Sequence, residues 1–184
     1  MEILEAIRTR RSIRQQKLDP IDDETLQKIL EAARWAPSWA NTQTWRFIVV
    51  RDSSIKAELA NTLRTNNPAT DTTRNSPIVI VACAEMGKAG CRRDDGTPTT
   101  DKGGYWCMFD IALAMQNLVL AAHALGVGTV IIGAFDAKRA AEILEVPEGF
   151  CVVAITPLGF PAQEGKTPKR KELSEIVFYD KYGA

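Results

Sequence analysis

A chain of 184 residues suffices for one well-buried domain and is short for two, so residues 1–184 are read as a single unit. Hydrophobic residues make up 45%, and 23 Lys+Arg balance 23 Asp+Glu to a formal net charge of zero, which argues against disorder and against a broad nucleic-acid surface. The four cysteines, Cys83, Cys91, Cys107 and Cys151, lack the CxxC spacing or histidine partners of a metal or dithiol site and read as free thiols of a reducing cytosol.

The chain opens with MEILEAIRTRRSIR, in which Ile3, Leu4 and Ile7 predict a short amphipathic helix that fades at the basic run. Its charged residues interrupt the apolar core that an export signal needs, so a cytoplasmic location is expected. Asp22 or Asp23 then caps a second helix, whose Leu26, Ile29, Leu30 and Ala33 recur at helical spacing and which ends before Pro37. Residues 36–47, APSWANTQTWRF, form the loop leaving that helix, and WRFIVV reads as a strand. A weaker helix covers residues 54–63, and SPIVIVACAE reads as a buried strand because its apolar run is nearly continuous. Residues 86–104 turn to glycine, threonine and charge, an exposed excursion suited to a lid.

The next stretch, YWCMFDIALAMQNLVLAAHALGVG, is apolar almost all round and spans roughly 33 Å as about 22 helical residues. That length crosses a bilayer, yet Asp110, Gln116, Asn117 and His123 are costly in lipid and flanking Lys/Arg clusters are missing. A buried central helix shared with a partner subunit is expected, with no membrane role. GTVIIGAF follows as a short strand ending at Gly133, and Asp136 caps a helix with Ala140, Ile143 and Leu144 facing inward. FCVVAITPLGFPA is another buried strand and turn. The tail PKRKELSEIVFYDKYGA ends in a strand-like EIVF too short to bury itself, so it should dock elsewhere, on a second copy of the chain. Helix-rich ends around four or five strands lack the regular alternation of a doubly wound nucleotide fold.

Several clusters could carry chemistry. RTRRSIR sets Arg8, Arg10, Arg11 and Arg14 around Ser12, a composition suited to phosphate. Convergence requires the first helix to stop here, because on a continuous helix Arg11 points about 100° away from the face shared by Arg10 and Arg14. A solvated basic face is the alternative. PKRKE adds Lys169, Arg170 and Lys171, either a second half of a dianion grip or an exposed basic tail. In the 36–47 loop, Ser38, Asn41, Thr42 and Gln43 suit a flat polar heterocycle, with Trp39 and Trp45 as apolar walls, although Trp45 reads better as core. Gly133, just past a strand, lets a ligand approach the backbone and meet an N–H, whereas Gly126 and Gly128 precede the strand and fit a helix exit. His123 reads as a packed or interface residue, and Asp110 as a subunit contact or helix end. Without a nucleophile elbow, P-loop, paired carboxylates or a metal site, an enzyme of this sequence leaves its chemistry to a cofactor.

Four stretches in order, RRSIR, APSWANTQTWRF, GTVIIGAF and KRKELSEIV, resemble the nitroreductase family of FMN flavoproteins, and FDIALAMQNLVLAAHALGVGT is similar to that family's central dimer helix. The resemblance implies an α+β class, three-layer α/β/α fold with a mixed, mainly antiparallel sheet, in an intertwined homodimer with FMN at the subunit interface. The C-terminal segment would add a strand to the partner's sheet. By position, the resemblance implies that Arg10, Arg11, Ser12 and Arg14 hold the FMN phosphate, ribityl chain and pyrimidine edge, with Arg170 and Lys171 completing the phosphate site. Pro37, Ser38, Trp39 and Asn41 would come from the other subunit. Ile132, Gly133 and Ala134 would pass beside the ring, the Gly133 N–H resembling the donor to flavin N5, and neither a catalytic side chain nor a metal is implied. The sequence departs from the family pattern at Thr44, often proline, which should loosen the turn. It departs also at Trp39, where small residues are common, and at Gln15, Gln16 and Lys17, which replace an aromatic.

The activity implied is NAD(P)H-dependent reduction of small flat acceptors such as nitroaromatics, quinones or enones, by ping-pong hydride transfer through flavin N5. A specialised flavin reaction, such as reductive dehalogenation or attack on the flavin itself under control of the 86–104 excursion, is one rival. A non-catalytic FMN sensor or storage protein is the other.

Overall fold

The computed structural model describes residues 1–183. Its sheet has the order β1-β2-β4-β3, formed by β1 (Trp45–Val50), β2 (Ile78–Glu85), β3 (Gly128–Thr129) and β4 (Phe150–Gly159). The helices are α1 (Ile3–Thr9), α2 (Asp23–Arg34), α3 (Ser53–Asn61), α4 (Thr70–Asn75), α5 (Trp106–Ala124) and α6 (Ala137–Ile143). Strand β2 lacks a polar face because both of its faces are covered. Ile78, Ile80, Ala82 and Ala84 point into one core with α2 and α5, while Val79, Val81 and Cys83 point into a second with Leu59 of α3 and Ala140 of α6. Three layers, helix, sheet and helix, follow from that alternation.

The helix starts obey their caps. Asp22 accepts from Thr25 N at 2.7 Å, Asp52 from Ser54 N at 2.8 Å and Asp136 from Arg139 N at 2.9 Å. Although Gly103–Ala124 is long and apolar enough to cross a membrane, Ile111, Ala114, Met115, Leu118, Val119 and Ala122 are buried in the core. Asn117 donates from Nδ2 to the Ala32 carbonyl at 3.1 Å, tying α5 to α2.

The strand expected in GTVIIGAF and the apolar face expected of α1 are corrected by the structure. GTVIIGAF forms a strand only at Gly128–Thr129, after which a lone bridge joins Ile132 to Ile155. Among the described residues every ladder is antiparallel, in keeping with the mainly antiparallel α+β sheet expected, and parallel pairing is confined to the Ser12–Thr129 bridge. Among the described residues the tail's EIVF forms no strand; a turn at Leu173–Glu175 is followed by exposed residues, and the outer edge of β1 carries no partner strand. In α1, Ala6 is the buried residue, whereas Ile3, Leu4 and Ile7 face outward. The polar helix α4 shows no apolar period and was not expected.

Candidate functional site

Helix α1 stops at Thr9, and from Ser12 the chain runs extended beside the sheet. Ile13 N donates to the Thr129 carbonyl at 2.8 Å, Lys17 N to that of Phe160 at 2.8 Å, and Ala162 N to that of Gln15 at 3.0 Å. Gln16 ties the segment down by donating from Nε2 to the carbonyls of Gly128 at 2.9 Å and Pro157 at 3.2 Å. This pairing brings the stretch after β4 across the basic run. Arg11 Nε donates to Thr167 Oγ1 at 3.1 Å, and a Cβ on Gly165 would stand 2.3 Å from Arg11 Cβ. The Arg10 guanidinium is held below the usual arginine value by burial, by Arg11 and by Arg170. The two basic clusters of the sequence thus converge, with Arg170 as the member from the tail; Lys171 is exposed.

The N-terminal basic run borders two clefts, neither of which Arg170 or Lys171 lines. One of about 820 Å³ is lined by Thr9, Arg10, Arg11, Ile13, His123 and Thr167, among others. The other, of about 340 Å³, is lined by Ser12, Ile13, Arg14, Pro68 and the residues from Gln163 to Lys166. Ile13 borders both because the extended segment runs between them.

His123, expected to be packed or at an interface, lies in the larger cleft with Nε2 2.8 Å from Thr9 Oγ1. Since the Thr9 hydroxyl already donates to the Glu5 carbonyl at 2.7 Å, Nε2 must donate to Thr9. Burial, Arg10 and Arg11 lower the His123 pKa.

The 36–47 loop is shaped by a residue far away in sequence. Asp110 of α5, 1% exposed, accepts the Trp39 N–H at 3.0 Å and the Thr42 hydroxyl at 3.5 Å. Its pKa is raised by burial, against the two hydrogen bonds. Ala40, Asn41 and Gln43 take positive φ of 43°, 55° and 48°. Ser38 Oγ accepts from Gln43 N at 3.0 Å, and Asn41 Oδ1 from Gln43 Nε2 at 3.1 Å. Trp39 packs on Trp106 at 4.9 Å, while Trp45 is buried in the core as expected. Thr44 is fully buried, and its carbonyl takes the Glu85 N–H at 2.8 Å. Asp110 was expected at a subunit contact or helix end. A carboxylate amid an apolar helix face requires buried donors, and that was the available signal.

Gly133 stands between fixed neighbours. Ile132 exchanges hydrogen bonds with Ile155 at 2.9 and 3.0 Å, and the Ala134 carbonyl accepts from Arg64 N at 3.0 Å. Gly133 itself is exposed, a Cβ there would meet nothing within 4 Å, and among the described residues no protein group accepts its N–H. The residues Pro37, Ser38, Trp39 and Asn41 line neither of the two clefts bordered by the arginines.

The 86–104 excursion is fixed rather than loose at its base. Arg92 N donates to the Thr97 carbonyl and Thr99 N to that of Gly90, both at 2.8 Å, and Ala89, Gly90 and Cys91 are buried.

The family model for the Nitroreductase family matches residues 7–74 and 65–160. A putative NADH dehydrogenase/NAD(P)H nitroreductase of Methanothermobacter thermautotrophicus is 32% identical over 171 residues, covering 91% of this chain and 81% of that protein. Among solved structures, a nitroreductase family protein from Clostridium novyi NT is similar at 35% identity with a TM-score of 0.77, over 100% of this chain and 96% of that one. The NADPH:FMN oxidoreductase from Vibrio harveyi complexed with NAD+ is similar at 26% identity with a TM-score of 0.84, over 99% of this chain and 78% of that one.

Proposed function

The chain belongs to the nitroreductase family, and from that premise we propose that it is an FMN-dependent oxidoreductase, working as one domain over residues 1–184, that uses NADH or NADPH to reduce small flat acceptors such as nitroaromatics, quinones or enones. FMN, when bound, supplies the hydride-accepting and hydride-donating chemistry at its N5. The residues present fit that group. In a chain of zero net charge, Arg10 and Arg11 line one cleft and Arg170, from the other end of the chain, lies near enough to lower the Arg10 pKa; this gathering of cations carries the reading because a bound anion would offset their repulsion.

In this proposal Arg10, Arg11, Ser12 and Arg14, with Arg170 and Lys171, hold the phosphate, ribityl chain and pyrimidine edge. Ile132, Gly133 and Ala134 pass beside the ring, and the free Gly133 N–H is offered to N5. Open space over Gly133 supports that placement. Pro37, Ser38, Trp39 and Asn41 come from a second copy of the chain in a homodimer. Their separation from the arginine clefts within one chain supports a cross-subunit site. The side chains bind, orient and exclude water; none is required to move a proton. Four free cysteines accord with a soluble, cytoplasmic enzyme.

The test is the visible spectrum of the purified protein, followed anaerobically as NADH or NADPH is added. A bound flavin that bleaches is expected. A protein that stays colourless after FMN is supplied refutes the assignment.

A further inference from the structure

Trp39 stacks obliquely on Trp106 with ring centroids 4.9 Å apart, and Trp106 meets Phe109 edge-on at 5.5 Å. Phe109 is more than half exposed, so the outer part of this aromatic wall is open. The 86–104 excursion is fastened to the same wall: Trp106 Nε1 donates to Thr100 Oγ1 at 2.8 Å, and a Cβ on Gly90 would stand 2.2 Å from the Trp106 ring.

The excursion carries Lys88, Arg92, Arg93 and Lys102. Three of these cations are paired: Lys88 with Glu85 at 2.6 Å, Arg92 with Asp94 at 2.8 Å, and Lys102 with Asp101. Arg93 is different. Among the described residues no carboxylate lies within ion-pair distance of it, and its Nη2 reaches back to the Ala40 carbonyl at a long 3.5 Å. That contact places the guanidinium against the same loop as Trp39, leaving most of its donors for a ligand.

We propose that the Trp39–Trp106–Phe109 wall with Arg93 at its rim is the acceptor subsite, and that it selects planar aromatic acceptors carrying a carboxylate. The ring lies against the indoles and the carboxylate meets the guanidinium, whose planar fork suits two parallel hydrogen bonds. The inference rests on the proposal that the Trp39 loop lies over the partner's flavin. The wall is held in advance, Trp39 by Asp110 and Trp106 by Thr100 and by the packing of Gly90, so binding does not require ordering it.

The test compares kcat/KM for para-nitrobenzoate and para-nitrobenzyl alcohol in the FMN-loaded wild type, Arg93→Ala, Arg93→Lys and Arg92→Ala. The wild type should favour the carboxylate. In Arg93→Ala the ratio of the two constants should fall about fivefold, the scale of one exposed ion pair. Arg93→Lys should keep part of the preference, and Arg92→Ala should keep it whole. An unchanged ratio in Arg93→Ala, with flavin bleaching intact, overturns the subsite and leaves the flavin assignment standing. If Arg93→Ala instead slows bleaching by NADPH more than by NADH, the arginine serves the nucleotide phosphate and the acceptor proposal falls. A flavin that neither nucleotide bleaches overturns both.

Discussion

Replacing Asp110 with alanine removes the tether of the 36–47 loop. The main loss is the acceptor for the Trp39 N–H at 3.0 Å; the Thr42 hydroxyl, at 3.5 Å, contributes little. Stranding a buried N–H costs about 1–3 kcal/mol. Two effects offset this. Burial raises the Asp110 pKa, so its charged form burdens the native state at neutral pH. In addition, Ala40, Asn41 and Gln43 hold positive φ of 43°, 55° and 48°, strain of about 1 kcal/mol per residue that an untethered loop sheds. Global stability from urea unfolding should therefore fall by only about 1 kcal/mol. FMN affinity, read by flavin fluorescence, should fall about tenfold, because the loop must then be re-ordered on binding.

Asp110→Asn is the discriminating partner. Its amide oxygen still accepts from Trp39, and the Thr42 hydroxyl can turn to accept from the amide nitrogen, so affinity should stay within about threefold of wild type. The pH dependence has a definite sign. A carboxyl whose folded pKa lies above its ordinary 3.8 favours the fold below that value and loses the contribution as pH rises through the folded pKa. Wild type should thus lose stability relative to Asp110→Asn from about pH 4 upward. An alanine variant that binds FMN like wild type, or an asparagine variant damaged as badly as alanine, refutes the tether.

Gly133→Val should leave apo-protein melting within about 2 °C of wild type, since its Cβ meets nothing within 4 Å; FMN affinity should fall about tenfold, and unchanged affinity would remove the flavin from this backbone. Gly90→Ala places a Cβ at φ 73°, 2.2 Å from Trp106 and 2.8 Å from the Gly103 carbonyl. A loss of about 2 kcal/mol in urea unfolding is expected, with faster proteolysis in residues 86–104. His123, whose folded pKa lies below its ordinary 6.5, contributes stability above 6.5 that is lost as pH falls through the folded pKa. The apo wild type should accordingly lose stability relative to His123→Gln between about pH 7 and pH 5, and bound FMN, by placing a phosphate near the arginines, should shrink that difference.

What could be read from the sequence was what neighbours in the chain decide. Asp22 and the period of Leu26, Ile29 and Ala33 specify α2, and the unbroken apolar run of β2 announces two covered faces. The polar residues of α4, TDTTRN, carry no such period, and GTVIIGAF has strand composition but pairs only briefly. At the candidate site, RTRRSIR and PKRKE revealed which groups were available, while their convergence depended on the Gln15–Ala162 and Lys17–Phe160 pairings, which no local pattern encodes. Asp110 was missed as a loop holder because its partners lie about seventy residues earlier.

The exposed apolar residues bear on the same question. Ile3, Leu4 and Ile7 of α1, Met108 and Phe109 of α5, and Leu173, Ile176 and Tyr179 of the tail all face outward. Single exposed apolar residues are ordinary, but several on each of three elements leave much apolar surface in water. The arginine clefts and the Trp39 loop are likewise separate within one chain. In the homodimer proposed above, a second copy would meet both needs at once, covering apolar surface that one chain leaves exposed and bringing a Trp39 loop to the arginines of its neighbour. On that view cofactor binding and association are linked, because a site completed across the interface stabilises the dimer as it fills.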